Sequence, residues 1–251
     1  MEYARSVFFF FRNLMLDKLS EIINVTTNEQ EIGNGLTSFS VSINGQTLVD
    51  NNLYNKLTTQ ALETGVNASD AHGLYNIVWE SGLEFNEYSD TLKGNLKGLI
   101  DIRDGNNGSV ENVITNASGD KELTLTDNPE NTTGYKGVPH YVSKLNEFIN
   151  KFTTAVNDLL TSGYTADGKA GIPLFTVKYD NTAMAASSVT VNKELLLDST
   201  KLATTTKPSN GEAYCDIVDK LMALEKAKVF EGGTGAYFLE SVVAEVGIDS
   251  D

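Results

Sequence analysis

Residues 137–177, GVPHYVSKLNEFINKFTTAVNDLLTSGYTADGKAGIPLFTV, constrain the fold more than any other stretch: they read as one long amphipathic helix and the turn that closes it. Tyr141, Leu145, Phe148, Phe152, Ala155 and Leu159 recur at alternating steps of four and three, which lines them up along one side of a helix. Val142, Ile149 and Val156 widen that line on one flank. Pro139 suits the first turn, where its missing N–H costs nothing, and Gly163 suits the left-handed residue that ends a helix. A helix of about 24 residues is roughly 36 Å long. The six-residue line is the expected packing seam against other helices, in preference to a ligand cavity lined by rings. A rod closed by Asp-Gly and Gly-Ile-Pro turns points to a chain that assembles rather than catalyses.

The other elements alternate between two periods. Residues 12–23 read as a helix with Leu16, Leu19 and Ile23 on one face. Phe39, Val41 and Ile43 alternate with serines, and Asn44-Gly45 then separates them from Thr47, Leu48 and Val49, the pattern of a tight hairpin. Residues 74–80 give another strand. Helical spacing returns at 90–103, with Asp90 as a cap, Leu92, Leu96, Leu99 and Ile102 or Arg103 on one side, and Gly94 and Gly98 placed to admit a neighbouring backbone. Residues 122–126 form one strand in a Gly/Asn/Thr-rich stretch, 174–177 and 188–191 are short strands, and 211–228 and 234–246 are helices. In the last two, Ile217, Val218, Leu221 and Leu224, then Tyr237, Phe238, Val242 and Val246, are expected to face inward. The fold class is therefore α+β: an elongated, discontinuous helical bundle with a small protruding β domain. Its helical body comprises 1–23, 92–104 and 137–251, its β domain 24–91, and a β/loop excursion 105–136.

Composition excludes several functions. The formal charge of −15, from 34 acidic and 19 basic residues, repels phosphate backbones and anionic lipid surfaces, so neither nucleic acid nor membrane is an expected partner. A single cysteine, Cys215, rules out an intrachain disulfide and any cysteine-cluster zinc site. The run Val7–Phe11 is shorter than a signal-peptide core and is followed by Arg12 without a small-residue cleavage site. It is expected to tuck against the helical body. Asn-x-Ser/Thr triplets at Asn24, Asn67, Asn107, Asn116 and Asn131 are the chance yield of an Asn- and Thr-rich chain.

A search for chemistry ends empty. His72 and His140 have no partner at metal-ligand spacing, and Thr165–Lys169 starts like a calcium loop but lacks the later ligands, so it reads as a turn. Glu84 with Glu87, and Asp101 with Asp104, are carboxylates three apart that read as solvated surface. No phosphate-binding loop, nucleophile elbow or dinucleotide fingerprint occurs. No catalytic residue, cofactor or metal is assigned.

Several pieces, in this order, resemble the flagellar hook-associated protein 1 family, the hook–filament junction proteins. Arg12-Asn13-Leu14-Met15-Leu16-Asp17-Lys18-Leu19-Ser20 resembles the family's R-[DN]-x-L-L-D-x-L-S stretch, and Gly45-Gln46-Thr47-Leu48-Val49 its G-x-x-L-V segment. Lys97–Asp104 resembles the helix that ends in Arg-Asp, and Leu145 through Asn157 the helix that ends on Asn. Gly163–Gly168, Pro173-Leu174-Phe175, Ser188–Asn192 and Tyr237–Gly247 continue in register. The resemblance implies a structural protein of the bacterial flagellum, exported to the cell exterior without a cleaved signal peptide. It implies a ring of subunits between hook and filament, with the helical domain in the tube wall and the β domain outward. The implied partners are the hook protein, the second junction protein and further copies of the chain. Nothing here resembles the family's terminal helices, so a central fragment, monomeric alone, is expected. The alternative is an exported surface-binding module, adhesin-like or phage-tail-like, suggested by the Asn/Thr-rich stretch at 105–136.

Overall fold

The computed structural model describes residues 2–33, 35–210 and 213–249. The fold is α+β, and the chain divides into two units, Met1–Val110 with Asp127–Pro139, and Glu111–Thr126 with His140–Asp251.

In the first unit, helix α1 (Glu2–Ile22) leads into an antiparallel meander of β1 (Thr26–Gly33), β2 (Leu36–Ile43), β3 (Gln46–Asp50) and β4 (Leu53–Tyr54). The hairpin of β5 (Leu57–Ala61) and β6 (Tyr75–Trp79) follows, then helix α2 (Asn95–Asp104). Asn44 and Gly45 take φ values of 50° and 79°, the left-handed pair that a two-residue hairpin needs to match strand twist. The Asn44 amide also reaches out of its turn: its oxygen accepts from Ser89 and Thr91, and its nitrogen donates to the Asn86 carbonyl.

One core holds this unit together. Ile23, Ile43, Trp79, Phe85, Leu92 and Ile100 are buried, with Leu19, Leu48, Leu57, Ile77 and Leu96 packed on them. The ends of α1 and α2 are thus built into the β region, whereas spacing alone groups them with the long helix. The physical reason lies in α2. Its inward residues are Leu96 and Ile100, four apart, with Leu92 buried in the turn ahead of it, whereas Leu99 and Ile102 are 64% and 49% exposed. Asp90 does not cap it: α2 starts at Asn95 with Gly94 as its N-cap. A Cβ at Gly94 would lie 2.8 Å from the Ile22 carbonyl oxygen, and its φ is 97°, so only glycine admits the end of α1 there. Gly98 faces open space.

The second unit is organised around α3 (Val138–Thr161). Strands β7 (Ser109–Thr115) and β8 (Lys121–Asp127) form one hairpin, β9 (Phe175–Val177) and β10 (Val189–Val191) another. Then come α4 (Lys193–Leu197), α5 (Asp216–Ala223) and α6 (Gly235–Asp249). The first residues of the helix expected at 211–228 lie outside the described residues. Val156, Leu160, Ala203 and Ile217 form the centre, with Leu174, Phe175, Leu221 and Leu224 around it. The turn after α3 closes tightly enough that a Cβ at Gly171 would meet the Leu160 carbonyl oxygen at 2.0 Å. Helix α6 runs antiparallel to α3: His140 meets Glu245 at 3.2 Å, and the Phe148 and Phe238 rings stack at 6.3 Å. Phe238 is buried and Val242 half-buried, but Tyr237 and Val246, expected inside, are 55% and 49% exposed. In α5, Ile217 is buried while Val218 is 37% exposed.

Candidate functional site

The long helix carries two distinct faces, and the deeper one is polar. His140, Ser143, Asn146 and Thr153 are buried together with Val156 and Leu160. The Asn146 amide nitrogen donates to Glu111 Oε1 at 3.1 Å, and its oxygen accepts from the Ala186 N–H at 3.0 Å, tying β7 and the loop before β10 to α3. The Asn157 side chain pairs with Phe175 as a strand would: Nδ2 donates to the Phe175 carbonyl and Oδ1 accepts its N–H, both at 2.9 Å. The Thr153 hydroxyl donates to the Ile149 carbonyl at 2.8 Å, so its burial leaves no unmet donor.

The seam read from apolar spacing lies beside this face. Tyr141, Phe148, Ala155 and Leu159 are half-buried, whereas Leu145 is 47% and Phe152 38% exposed. Phe148 gathers the aromatics, with Phe230 at 5.1 Å, Phe152 at 6.0 Å and Phe238 at 6.3 Å, and Phe152 reaches Phe175 at 5.9 Å. Tyr141 meets the His140 ring edge-on. Leu145 and Leu159 join no ring cluster. A signal for the deeper line is present: Ser143, Asn146, Asn150, Thr153 and Asn157, all polar, and then Leu160 also step by three and four.

On its outer side, α3 borders an apolar groove of about 650 Å³, whose other walls come from Leu174 and Phe175, α5, the 224–230 segment and α6. In the first unit a polar cleft of about 1190 Å³ opens between the 83–91 loop, α2 and residues 129–135.

Beside that cleft, Arg103 anchors a buried polar hub. Its Nη2 contacts Glu87 Oε2 at 2.8 Å and Asp104 Oδ2 at 2.5 Å, Nε donates to Asp104 Oδ1 at 2.6 Å, and Nη1 donates to the Tyr75 carbonyl at 2.6 Å. Glu87 also accepts the Ile77 N–H. Thr132 donates to the Asp104 carbonyl at 2.9 Å, and Asn106 donates to Asn67, which holds Asp70. The end of α2 is thereby fastened to β6 and to two long loops. Glu87 and Asp104, which spacing alone reads as solvated, are each 5% exposed, while Glu84 is exposed and Asp101 pairs with Lys97. One carboxylate of each pair, Glu87 and Asp104, is thus buried on Arg103, and the other is not.

Burial pushes the Glu87 carboxyl above its ordinary value near 4.5, and the Ile77 N–H and Arg103 only partly offset that. Arg103 is itself pushed up, first by its hydrogen bond to Asp104. The cation serves two carboxylates and favours Asp104, which leaves Glu87 under-compensated. Burial raises Asp70 as well. Between the ordinary and the raised values the folded state holds protons that the unfolded state has released, so stability falls as pH rises through that window. Unit 1 is therefore expected to gain stability on acidification from pH 7 toward about 5. Trp79, the only tryptophan and buried in this core, reports the transition by fluorescence in urea. A midpoint that drops between pH 7 and 5, or a gain unchanged in Glu87→Gln, would contradict this. Glu147 in α3 behaves oppositely: burial raises it, but Lys151 and Lys144 together hold it below the usual range.

Of the remaining candidates, His72 is exposed, and Thr165–Lys169 is a turn closed by Thr165 N–H to the Lys169 carbonyl and by the Thr165 hydroxyl to Asp167. Among the described residues no group of three or more His, Cys, Asp or Glu side chains is placed to hold a metal ion, and no helix is long and apolar enough to cross a membrane.

No curated protein matches the chain. A family model does, that of the flagellar hook-associated protein FlgK helical domain, over residues 11–175. That span contains the Arg103 hub, Asn146 and Asn157, so the polar fastenings just described fall within the family's domain. It covers about two thirds of the sequence, and the chain belongs to the FlgK family of flagellar hook-associated proteins, a structural and not an enzymatic family.

Proposed function

We propose that this chain is a subunit of the junction between hook and filament in the bacterial flagellum, and that it acts by self-assembly into a ring. The family match over residues 11–175 carries the reading. The hook protein, the second junction protein and further copies of the chain are its partners, outside the cell, reached by export without a cleaved signal peptide. The helical part lies in the tube wall and the β part faces outward. Nucleic acid and membrane are not partners, given the charge of −15. Residues 105–136, which suggested a surface-binding module, fall inside the family match, which removes the motive for that alternative.

Cys215 is the sole cysteine and is exposed, so the protein accepts a single maleimide-gold label. Incubated with purified hooks and viewed by electron microscopy, labelled protein is expected at the distal hook end. Label scattered along the hook, or absent from it, overturns the junction assignment.

A further inference from the structure

The chain contains four Asn-Gly steps, at Asn34, Asn44, Asn107 and Asn210, and both residues of Asn44-Gly45 and of Asn107-Gly108 are described. Such a step is chemically labile, because a glycine has no side chain to hinder attack by its own backbone nitrogen on the preceding amide. The two described steps adopt the same left-handed pair, with φ of 50° and 79° at Asn44-Gly45 and of 54° and 75° at Asn107-Gly108. They differ in which reactant is held. At Asn107 it is the nucleophile: the Gly108 N–H donates to the Thr133 carbonyl at 2.8 Å, while the Asn107 side chain is exposed. At Asn44 it is the electrophile. Among the described residues the Gly45 N–H has no acceptor, and no atom lies within 4 Å of where a Cβ would stand. The Asn44 amide is gripped at both atoms: Oδ1 accepts from Ser89 Oγ at 2.8 Å and Thr91 Oγ1 at 2.7 Å, and Nδ2 donates to the Asn86 carbonyl at 3.2 Å. All three partners lie in one loop, 86–91, which Glu87 fastens to Arg103 at 2.8 Å.

We propose that Asn44 is a deamidation site gated by the 86–91 loop. While the loop grips the amide, the Asn44 side chain cannot swing over the Gly45 nitrogen. When the loop lifts, the Gly45 nitrogen attacks Asn44 Cγ and forms a five-membered cyclic imide. The Cγ–Nδ2 bond breaks, and Nδ2 leaves as ammonia with the proton that Gly45 gives up. Water then opens the imide at either carbonyl, to aspartate or to isoaspartate, and nothing is oxidised or reduced. Either product ends the grip. A carboxylate has no N–H to offer the Asn86 carbonyl. Isoaspartate also adds a backbone carbon to a turn built for two residues between the paired Ile43 and Gln46. Ile43 is 1% exposed in the first core, so conversion loosens that core, and the amide is not restored. The reaction needs water alone and is independent of the junction assignment.

Timed incubation of the whole chain at mildly alkaline pH, followed by peptide mass mapping, tests the gate, with Asn107 as the internal comparison. In the folded parent Asn44 is expected to persist, and in concentrated urea to convert faster by more than about tenfold. Ser89→Ala/Thr91→Val removes both donors to Oδ1. It should keep the circular dichroism of the parent and speed Asn44 conversion about tenfold, the shift in open fraction that two lost hydrogen bonds give, with Asn107 unchanged. Fully converted protein should lose Trp79 burial at a lower urea concentration than fresh protein. Asn44 that reacts as fast in the folded parent as in urea overturns the inference. So does a variant in which Asn44 reacts at the parent rate or more slowly, which would mean that the hydroxyls do not restrain the amide. Equal acceleration at Asn44 and Asn107 overturns it as well, because the whole unit then opens and not the loop. Should the variant not fold, the parent decides. In urea below the Trp79 transition Asn44 is expected to speed up ahead of Asn107, and a rise at both that tracks the transition overturns the gate.

Discussion

Replacing Arg103 by Ala is expected to lower the stability of the first unit by about 3–5 kcal/mol, the usual penalty for breaking a buried ion pair from one side. The magnitude follows from what is left behind. Glu87 and Asp104, each 5% exposed, would be left in low dielectric without the shared cation, and the Tyr75 carbonyl would lose its donor. With a urea slope of about 1–3 kcal/mol per molar, the Trp79 fluorescence midpoint moves down by more than about 1 M. Arg103→Lys should recover only part of the loss, because one ammonium cannot reproduce a fork that spans Glu87, Asp104 and a carbonyl. The control is Lys56→Ala. Its pair with Glu80 is 3.9 Å long with side chains 57% and 64% exposed, and its loss should stay within about 0.5 kcal/mol. An Arg103→Ala midpoint indistinguishable from that control would mean that the carboxylates relax into the neighbouring polar cleft and that the hub does not fasten α2.

Spacing makes local structure legible here and leaves the choice of inside face obscure. The Asn44-Gly45 turn, the long helix at Val138–Thr161 and the strand at Lys121–Asp127 all follow from rules acting over a few residues. What spacing does not reveal is which of two neighbouring faces turns inward, because long-range partners decide it. The amide of Asn146 is buried because Glu111 and Ala186, 35 and 40 residues away, accept and donate there. Glu87 is buried because Arg103 lies 16 residues on. Read alone, both residues belong on the surface, and the apolar Leu145 and Phe152 one step around the helix belong inside. The same bias misplaced the Phe run of α1, where Arg12 stacks on Phe39 and is held by Glu29, so the polar residue takes the inner position.

The sharpest test of the inner face compares two leucines on the same helix. Leu160→Ala is expected to cost about 2–5 kcal/mol, because the side chain is fully buried between Val156, Ala203 and Ile217 and leaves a cavity the turn at Gly171 cannot collapse into. Leu145→Ala, at 47% exposure, should cost less than about 1 kcal/mol, although heptad spacing alone makes Leu145 the better core residue. Asn146→Leu adds the discriminating case. It increases apolarity at a buried helical position, yet it removes the acceptor of the Ala186 N–H and the donor to Glu111, and should destabilise by about 1–3 kcal/mol. Amide hydrogen exchange across α3 reads all three, since opening of the helix reports the stability of its packing. If Leu145→Ala accelerates exchange as much as Leu160→Ala, the apolar seam carries the packing in solution, and the groove beside it is closed. If Leu160→Ala and Asn146→Leu dominate, the helix is held by its inner line of Ser143, Asn146, Thr153 and Leu160.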